Sequence, residues 1–547
     1  MNVLKTAWLS QPKRRKSLAA IAVIAAGLAA VVGVTQVSVR LAEKPRDTPA
    51  QTLSSPGVGT APAAAGGGAG LDPGAGTVTM GVSPGQYEEH NNTLALADRA
   101  LDDLKQGIPP EQLEQARQAL AKGQSGAAEA LFQKLRSQGR QQAAEAAYQL
   151  GQLAYGRSGA AATYPYFKEA ADLQPDNPLY LDQAGSIAYT LGRYTEAEPL
   201  YQRSLALHEK TSGPDHPDVA QSLNNLAELY RAQGAYAQAG PLYQRSLAIR
   251  EKALGPDHPE VAQSLNNLAA LYQAQGAYAQ AVPLFQRSLA LLETALGPDH
   301  PEVATGLNNL AGLYRAQGAY AQAGPLYQRS LAIRKKALGP DHPDVAQSLN
   351  NLAALYRAQG AHAKAGPLYQ RSLAILEKAL GPDHPSVATG LNNLAALHEA
   401  QGAYAQAEPL YLRSLAIWGR AFGPDHPLVA TGLNNLAALY ETQGAYAKAE
   451  PLYLRSLALR EKALGPGHPE VATSLNNLAG LYRTQGAYAK AEPLYQRSLA
   501  ILEKSLGPGH PEVATCLWNY AALLKKLNHA TQAEAMEARA KAIQARD

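Results

Sequence analysis

Within a recurring Leu-Asn-Asn-Leu-Ala stand seven pairs of adjacent asparagines: Asn224 and Asn225, Asn266 and Asn267, Asn308 and Asn309, Asn350 and Asn351, Asn392 and Asn393, Asn434 and Asn435, Asn476 and Asn477. A primary amide offers a donor and an acceptor side by side, the complement of a peptide backbone. Inside a helix the same short amide competes for backbone groups and lowers propensity, so its recurrence needs a reason. Two remain open: contact with a bound segment, or bonds between neighbouring units that hold their spacing. Seven residues beyond the first asparagine stands a residue that changes from copy to copy: Arg231, Gln273, Arg315, Arg357, Glu399, Glu441, Arg483 and Lys525. The surrounding copies are almost identical, so this row predicts a surface basic toward its first half and acidic around 399 to 441. An acidic or aromatic-acidic protein segment would suit the basic part through charge-assisted hydrogen bonds.

Other reactive side chains point away from chemistry. His216, His258, His300, His342, His384, His426, His468 and His510 recur once per copy, mostly as Asp-His-Pro. Stacked helices lie about 8–10 Å apart, whereas zinc needs nitrogens about 2.0–2.1 Å from a single ion. The reading is loop and cap duty, with no metal. Arg203, Arg245, Arg287, Arg329, Arg371, Arg413, Arg455 and Arg497 form a second ladder, read as solvated or inter-repeat ion pairs. A formal net charge of +4, with 17% charged residues, argues against a phosphate track, so no nucleic-acid partner is expected. The lone Cys516 excludes an intrachain disulfide and replaces Ser264, Gly306 or Ser474 of other copies, as a small packing residue would. Phosphate-loop, nucleophile-elbow and His-Glu-x-x-His patterns are lacking, so no catalytic residue, cofactor or enzymatic activity is expected.

The elements that carry these residues follow from a 42-residue period marked by Pro217, Pro259, Pro301, Pro343, Pro385, Pro427, Pro469 and Pro511. In one unit the pattern predicts a helix from Pro259 to Gln275, a turn at Gly276 and Ala277, and a second helix from Tyr278 to about Leu296. Val261, Leu265, Leu268, Ala269 and Tyr272 form one apolar stripe; Tyr278, Ala281, Phe285, Leu289 and Leu292 form the other. Such a hairpin cannot close a core alone, so the units must stack into a solenoid. At about 100° per residue, Asn266 and Asn267 lie roughly 100° and 200° around from Leu265, away from that stripe. Pro199, Pro241, Pro283, Pro325, Pro367, Pro409, Pro451 and Pro493 fall about six residues into each second helix. Beyond the first turn proline is costly, which predicts a kink or a shifted helix start.

Leu268-Ala269, Tyr272, Gly276, Ala281 and Phe285 resemble, in order, the signature of tetratricopeptide repeats, and "LGPDHP", "LNNLA" and "PLYQRSLAI" are similar to the repeats of kinesin light chains. The resemblance implies an all-α, right-handed superhelical solenoid whose first helices line a concave groove. Both asparagines of each pair, with the variable residue beyond them, would then face a partner. Tandem units are expected over 175–510, with degenerate helices over 87–174, a further weak candidate at 115–135, and capping helices over 511–547.

Ahead of the repeats, an uncharged stretch at 17–39 follows a basic segment, 1–16, and precedes a Pro/Gly/Ala-rich linker at 40–86. The stretch would span about 30 Å as a helix, enough to cross a bilayer. The basic flank predicts a membrane anchor with the repeats on the translocated, periplasmic or extracellular side. The alternative is a cleaved signal and a secreted protein. The expected function is a membrane-tethered scaffold or adaptor that binds a partner peptide in its groove. The alternative is an accessory architectural subunit of a membrane-associated enzyme or secretion complex, acting through loops and convex face. The sequence leaves self-association open.

Overall fold

The structure, a computed structural model, describes residues 140 to 545 apart from residue 159. The expected anchor at 17–39, its basic flank, the linker and the candidate unit at 115–135 lie outside the described residues. Among the described residues no helix is long and apolar enough to cross a membrane.

Those residues form twenty helices in ten hairpins. The first pairs are α1 (Arg140–Ser158) with α2 (Ala160–Leu173), α3 (Pro178–Thr190) with α4 (Tyr194–Ser212), and α5 (Pro217–Ala232) with α6 (Tyr236–Leu254). Then come α7 (Pro259–Ala274) with α8 (Tyr278–Leu296), α9 (Pro301–Ala316) with α10 (Tyr320–Leu338), and α11 (Pro343–Ala358) with α12 (His362–Leu380). The array continues with α13 (Pro385–Ala400) and α14 (Tyr404–Phe422), α15 (Pro427–Thr442) and α16 (Tyr446–Leu464), then α17 (Pro469–Thr484) and α18 (Tyr488–Leu506). It ends with α19 (Pro511–Lys526) and α20 (Ala530–Gln544).

Local chemistry sets these boundaries. His258 caps α7: its Nδ1 accepts from the Glu260 N–H at 3.2 Å, and Pro259 occupies the first helical position, where its missing N–H costs nothing. The same cap recurs at the other Asp-His-Pro and Gly-His-Pro loops, from His216 to His510. Gly276 ends the hairpin's first helix at φ 67°, a left-handed conformation that glycine adopts without strain.

The prolines do not displace the second helices. α6 starts at Tyr236 and runs through Pro241 to Leu254. The carbonyl deprived of its partner by Pro241 belongs to Ala237, an exposed residue, so water can satisfy it.

Val261, Ala262, Leu265, Leu268, Ala269 and Leu271 of α7 are buried: Ala262 clusters with Leu292 of α8 and Ala269 with Ala281 and Phe285, while Leu268 and Leu271 join Ala239 and Tyr243 of the preceding hairpin. Tyr272, Tyr278 and Leu289 are only half-buried. Ser288 Oγ donates to the Ala262 carbonyl at 2.7 Å, a bond repeated in other hairpins by Ser246, Ser330, Ser372, Ser414, Ser456 and Ser498. Upstream, α1 and α2 make a hairpin of the same kind, with a Cβ at Gly151 set to lie 2.9 Å from the Phe167 ring. Successive first helices approach one another more closely than successive second helices, so the stack curves with the first helices inside.

The curve returns over itself. His426 Nε2 meets the Thr190 carbonyl at 2.9 Å and His468 Nε2 meets the Ala232 carbonyl at 3.1 Å, each 236 residues away. His510 packs against the Gly276 turn in the same place, where an added Cβ would lie 2.7 Å from its ring. The stacked hairpins are six apart, α15 on α3 and α17 on α5, so one superhelical turn takes about six repeats and the second turn rests on the first.

Candidate partner-binding face

The asparagine pairs form a ladder between hairpins. Nδ2 of the second asparagine in one first helix donates to Oδ1 of the first asparagine in the helix before it. The contacts are Asn267 to Asn224 at 2.7 Å, Asn309 to Asn266 at 2.7 Å, Asn351 to Asn308 at 2.9 Å and Asn393 to Asn350 at 3.0 Å. Asn435 to Asn392 at 3.0 Å, Asn477 to Asn434 at 3.1 Å and Asn519 to Asn476 at 3.2 Å complete it. First helices pack against neighbours on both sides, which buries Asn224, Asn225, Asn267, Asn308, Asn392, Asn434 and Asn435 and leaves the others half-buried. Where the ladder starts, 42 residues before Asn224, stands the buried Asp182, whose carboxyl burial pushes up to about 7.

The variable row is half-buried from Arg231 to Arg483, with Lys525 exposed. Glu399 accepts from the Tyr411 hydroxyl and Glu441 from that of Tyr453, both at 2.8 Å, across the hairpin. Burial raises both carboxyls, while Arg357 near Glu399 and Arg483 near Glu441 pull in the opposite direction. The acidic stretch is thus flanked by cations within the same row. Arg231 pairs with Glu228, which takes the place of Ala270 and Ala354 in other copies and also accepts from Tyr243 at 2.6 Å. Burial would push the Glu228 carboxyl up, but Arg231 and the two tyrosine donors outweigh it and hold it low.

A second set of buried polar groups joins the hairpins behind this face. Arg250 Nη1 donates to Ser264 Oγ at 2.9 Å, Arg334 to Ser348 at 3.1 Å and Arg460 to Ser474 at 2.8 Å. In three copies an apolar first residue faces glycine: Leu292 with Gly306, Leu376 with Gly390, Trp418 with Gly432. A Cβ at Gly432 would lie 3.1 Å from Leu415 and 3.3 Å from Trp418, so the large side chain fills the space that serine has elsewhere. Cys516, opposite Leu502, is buried at the same position with Sγ 3.5 Å from Ser498 Oγ; burial pushes its thiol up to about 11, away from the reactive thiolate. This pairing escaped the sequence reading, although its fourteen-residue spacing is visible when the repeats are laid over one another.

The outer face is ion-paired. Arg245 to Glu209, Arg287 to Glu251, Arg329 to Glu293, Arg413 to Glu377 and Arg497 to Glu461 bridge successive second helices at 2.6–2.8 Å. The ladder changes at Lys335, which replaces the glutamate beside Arg371. Among the described residues no cluster of His, Cys, Asp or Glu could hold a metal ion.

Stacked helix hairpins with a turn glycine, interlocking small and aromatic residues and a first-helix inner face define a helical-repeat solenoid. The chain belongs to the tetratricopeptide repeat family, whose profile matches 178–251, 218–294, 262–336, 302–378, 352–418, 386–462, 433–504 and 470–546. No curated protein matches the chain. Solved structures similar to it include BtubC (BKLC) from P. vanneervenii, 26% identical over 43% of this chain and 91% of that one, with a TM-score of 0.34. Another is a Podosopora anserina putative kinesin light chain with nearly identical TPR-like repeats, 32% identical over 38% of this chain and 97% of that one, with a TM-score of 0.32. A variant of that same protein is 31% identical over the same shares, with a TM-score of 0.33.

Proposed function

We propose that the chain is a membrane-tethered, right-handed scaffold that holds an extended or helical segment of another protein along its first-helix face. The observation that carries this reading is a variable row set on a fixed frame: Gln273, Arg315, Arg357, Glu399 and Glu441 differ in charge while the asparagines beside them do not. In this reading the asparagines hold the stack, and the half-buried Asn266, Asn309, Asn350, Asn351, Asn393, Asn476 and Asn477 keep spare amide capacity toward a bound backbone. The variable row selects the sequence, with the stretch from Arg315 to Arg357 taking an acidic segment. The segment at 17–39 would anchor the array, with the repeats on the translocated side.

A second reading, an architectural subunit that works through its outer face, is favoured by Leu412 and Leu454. Both are 45% exposed, in positions where other copies carry Gln244 or Gln286. Charge reversal separates the two. Arg315→Glu with Arg357→Glu should abolish partner capture from membranes, and Leu412→Gln with Leu454→Gln should leave it intact. The opposite pattern would select the architectural reading.

A further inference from the structure

From α5 onward each hairpin presents one turn on the upper edge of the superhelix and one His-Pro loop on the lower edge. Three such pairs meet inside the chain. Gly192 lies so near Pro427 that an added Cβ would come within 2.5 Å of its ring; at Gly234 and Pro469 the figure is 2.8 Å, and at Gly276 and His510 it is 2.7 Å. His426, His468 and His510 are buried by this contact. In each, Nδ1 accepts from the backbone of its own helix, which leaves the proton on Nε2; His426 and His468 donate it to the turn carbonyl.

The same groups recur unused. The turns at Gly318, Gly360, Gly402, Gly444 and Gly486 are exposed, with open space where a Cβ would be. At the other end, His216 is exposed and His258 and His300 are half-buried. Among the described residues their Nε2 atoms meet no turn carbonyl. The positions 236 residues before His258 and His300 fall at residues 22 and 64, in the apolar and Gly/Ala-rich stretches where the sequence has no repeat unit. The chain thus carries a socket edge and a plug edge of proven fit, each partly vacant, and both repeat every 42 residues so that several registers match.

We propose that the protein assembles head to tail with further copies of itself, the His216, His258 and His300 loops of one copy seating on the open turns near the C-terminal end of the next. The contact is heterologous, joining two different surfaces, so it continues the superhelix into an open filament and does not close into a dimer. It leaves the inner face of every copy free, and alignment of many copies would multiply a weak segment's avidity.

The test uses the full chain in mild detergent, followed by sedimentation velocity over a range of concentrations. Expected is a ladder of species growing with concentration. Asparagine is itself a good helix cap, so replacing all three histidines (His216→Asn, His258→Asn, His300→Asn) keeps the helices while removing the donors. That variant should weaken assembly about a hundredfold, from three lost hydrogen bonds. A second variant, Ala358→Glu with Ala400→Glu and Thr442→Glu, blocks the open turns at exposed positions. Each variant alone should be monomeric, with wild-type helicity and melting, and their mixture should form one-to-one dimers and nothing longer. A wild-type chain that stays monomeric throughout, or a closed dimer indifferent to both variants, would overturn the proposal.

Discussion

Asn309 donates its amide to Asn266 at 2.7 Å, across two hairpins and 43 residues of sequence. Seven such bonds run along the inside of the superhelix, and they turn a poor helix residue into the strut that fixes the distance between repeats.

Removing one partner should therefore cost more than removing both. Asn351→Ala leaves the buried Asn308 carbonyl without its donor and is expected to destabilise by about 1–3 kcal/mol, the cost of an unsatisfied buried polar group. The double variant Asn308→Ala, Asn351→Ala should fall short of the sum of the single losses. Urea unfolding followed by circular dichroism, arranged as a double-mutant cycle, measures the coupling.

The arginine–serine and apolar–glycine pairs make an exchange test. Arg334→Leu strands Ser348 and should destabilise, and Gly432→Ala should cost about 1–3 kcal/mol by crowding Leu415 and Trp418. Arg334→Leu combined with Ser348→Gly recreates the pairing of Leu376 with Gly390 and should recover most of the loss. Thermal melts of the four proteins decide it.

Acid should loosen the contact between superhelical turns. Burial lowers His426 and His510 to about 4, below the 6.5 of the free side chain. Their unfolded forms take up protons first as pH falls, so the stability they carry is intact above about 6.5 and is lost as pH drops toward 4. Glu512, raised to about 7 by burial, acts in the opposite direction, losing stability as pH rises through that value. The comparison of wild type with His426→Asn isolates the histidine: the difference in unfolding midpoint should change between pH 6.5 and 4 and stay constant above it.

The fold was legible because physics repeats with the sequence. A period of 42 residues, a proline at each helix start and a glycine at each turn set the hairpins, and the observed first helix, Pro259–Ala274, ends one residue before the expected boundary. The kink or shifted start expected at Pro241 did not displace α6, because the exposed Ala237 leaves its carbonyl to water. Angular position on a single helix could place Asn266 and Asn267 off their own core but could not see the next hairpin, which is where their partners Asn309 and Asn224 stand. The histidine loops were read as caps, and they are; their second bond, to a carbonyl 236 residues away, depends on superhelical pitch, which no single repeat encodes.

The central claim, a fixed frame with a selective inner row, is tested most directly by site-specific photocrosslinking in membranes. A photoreactive residue at Gln273, in the half-buried inner row, is compared with one at Gln286, exposed on the outer helix. One protein adduct is expected from position 273, lost on Arg315→Glu, Arg357→Glu, and none from position 286. The same adduct from position 286, or an adduct at 273 that survives charge reversal, would contradict it.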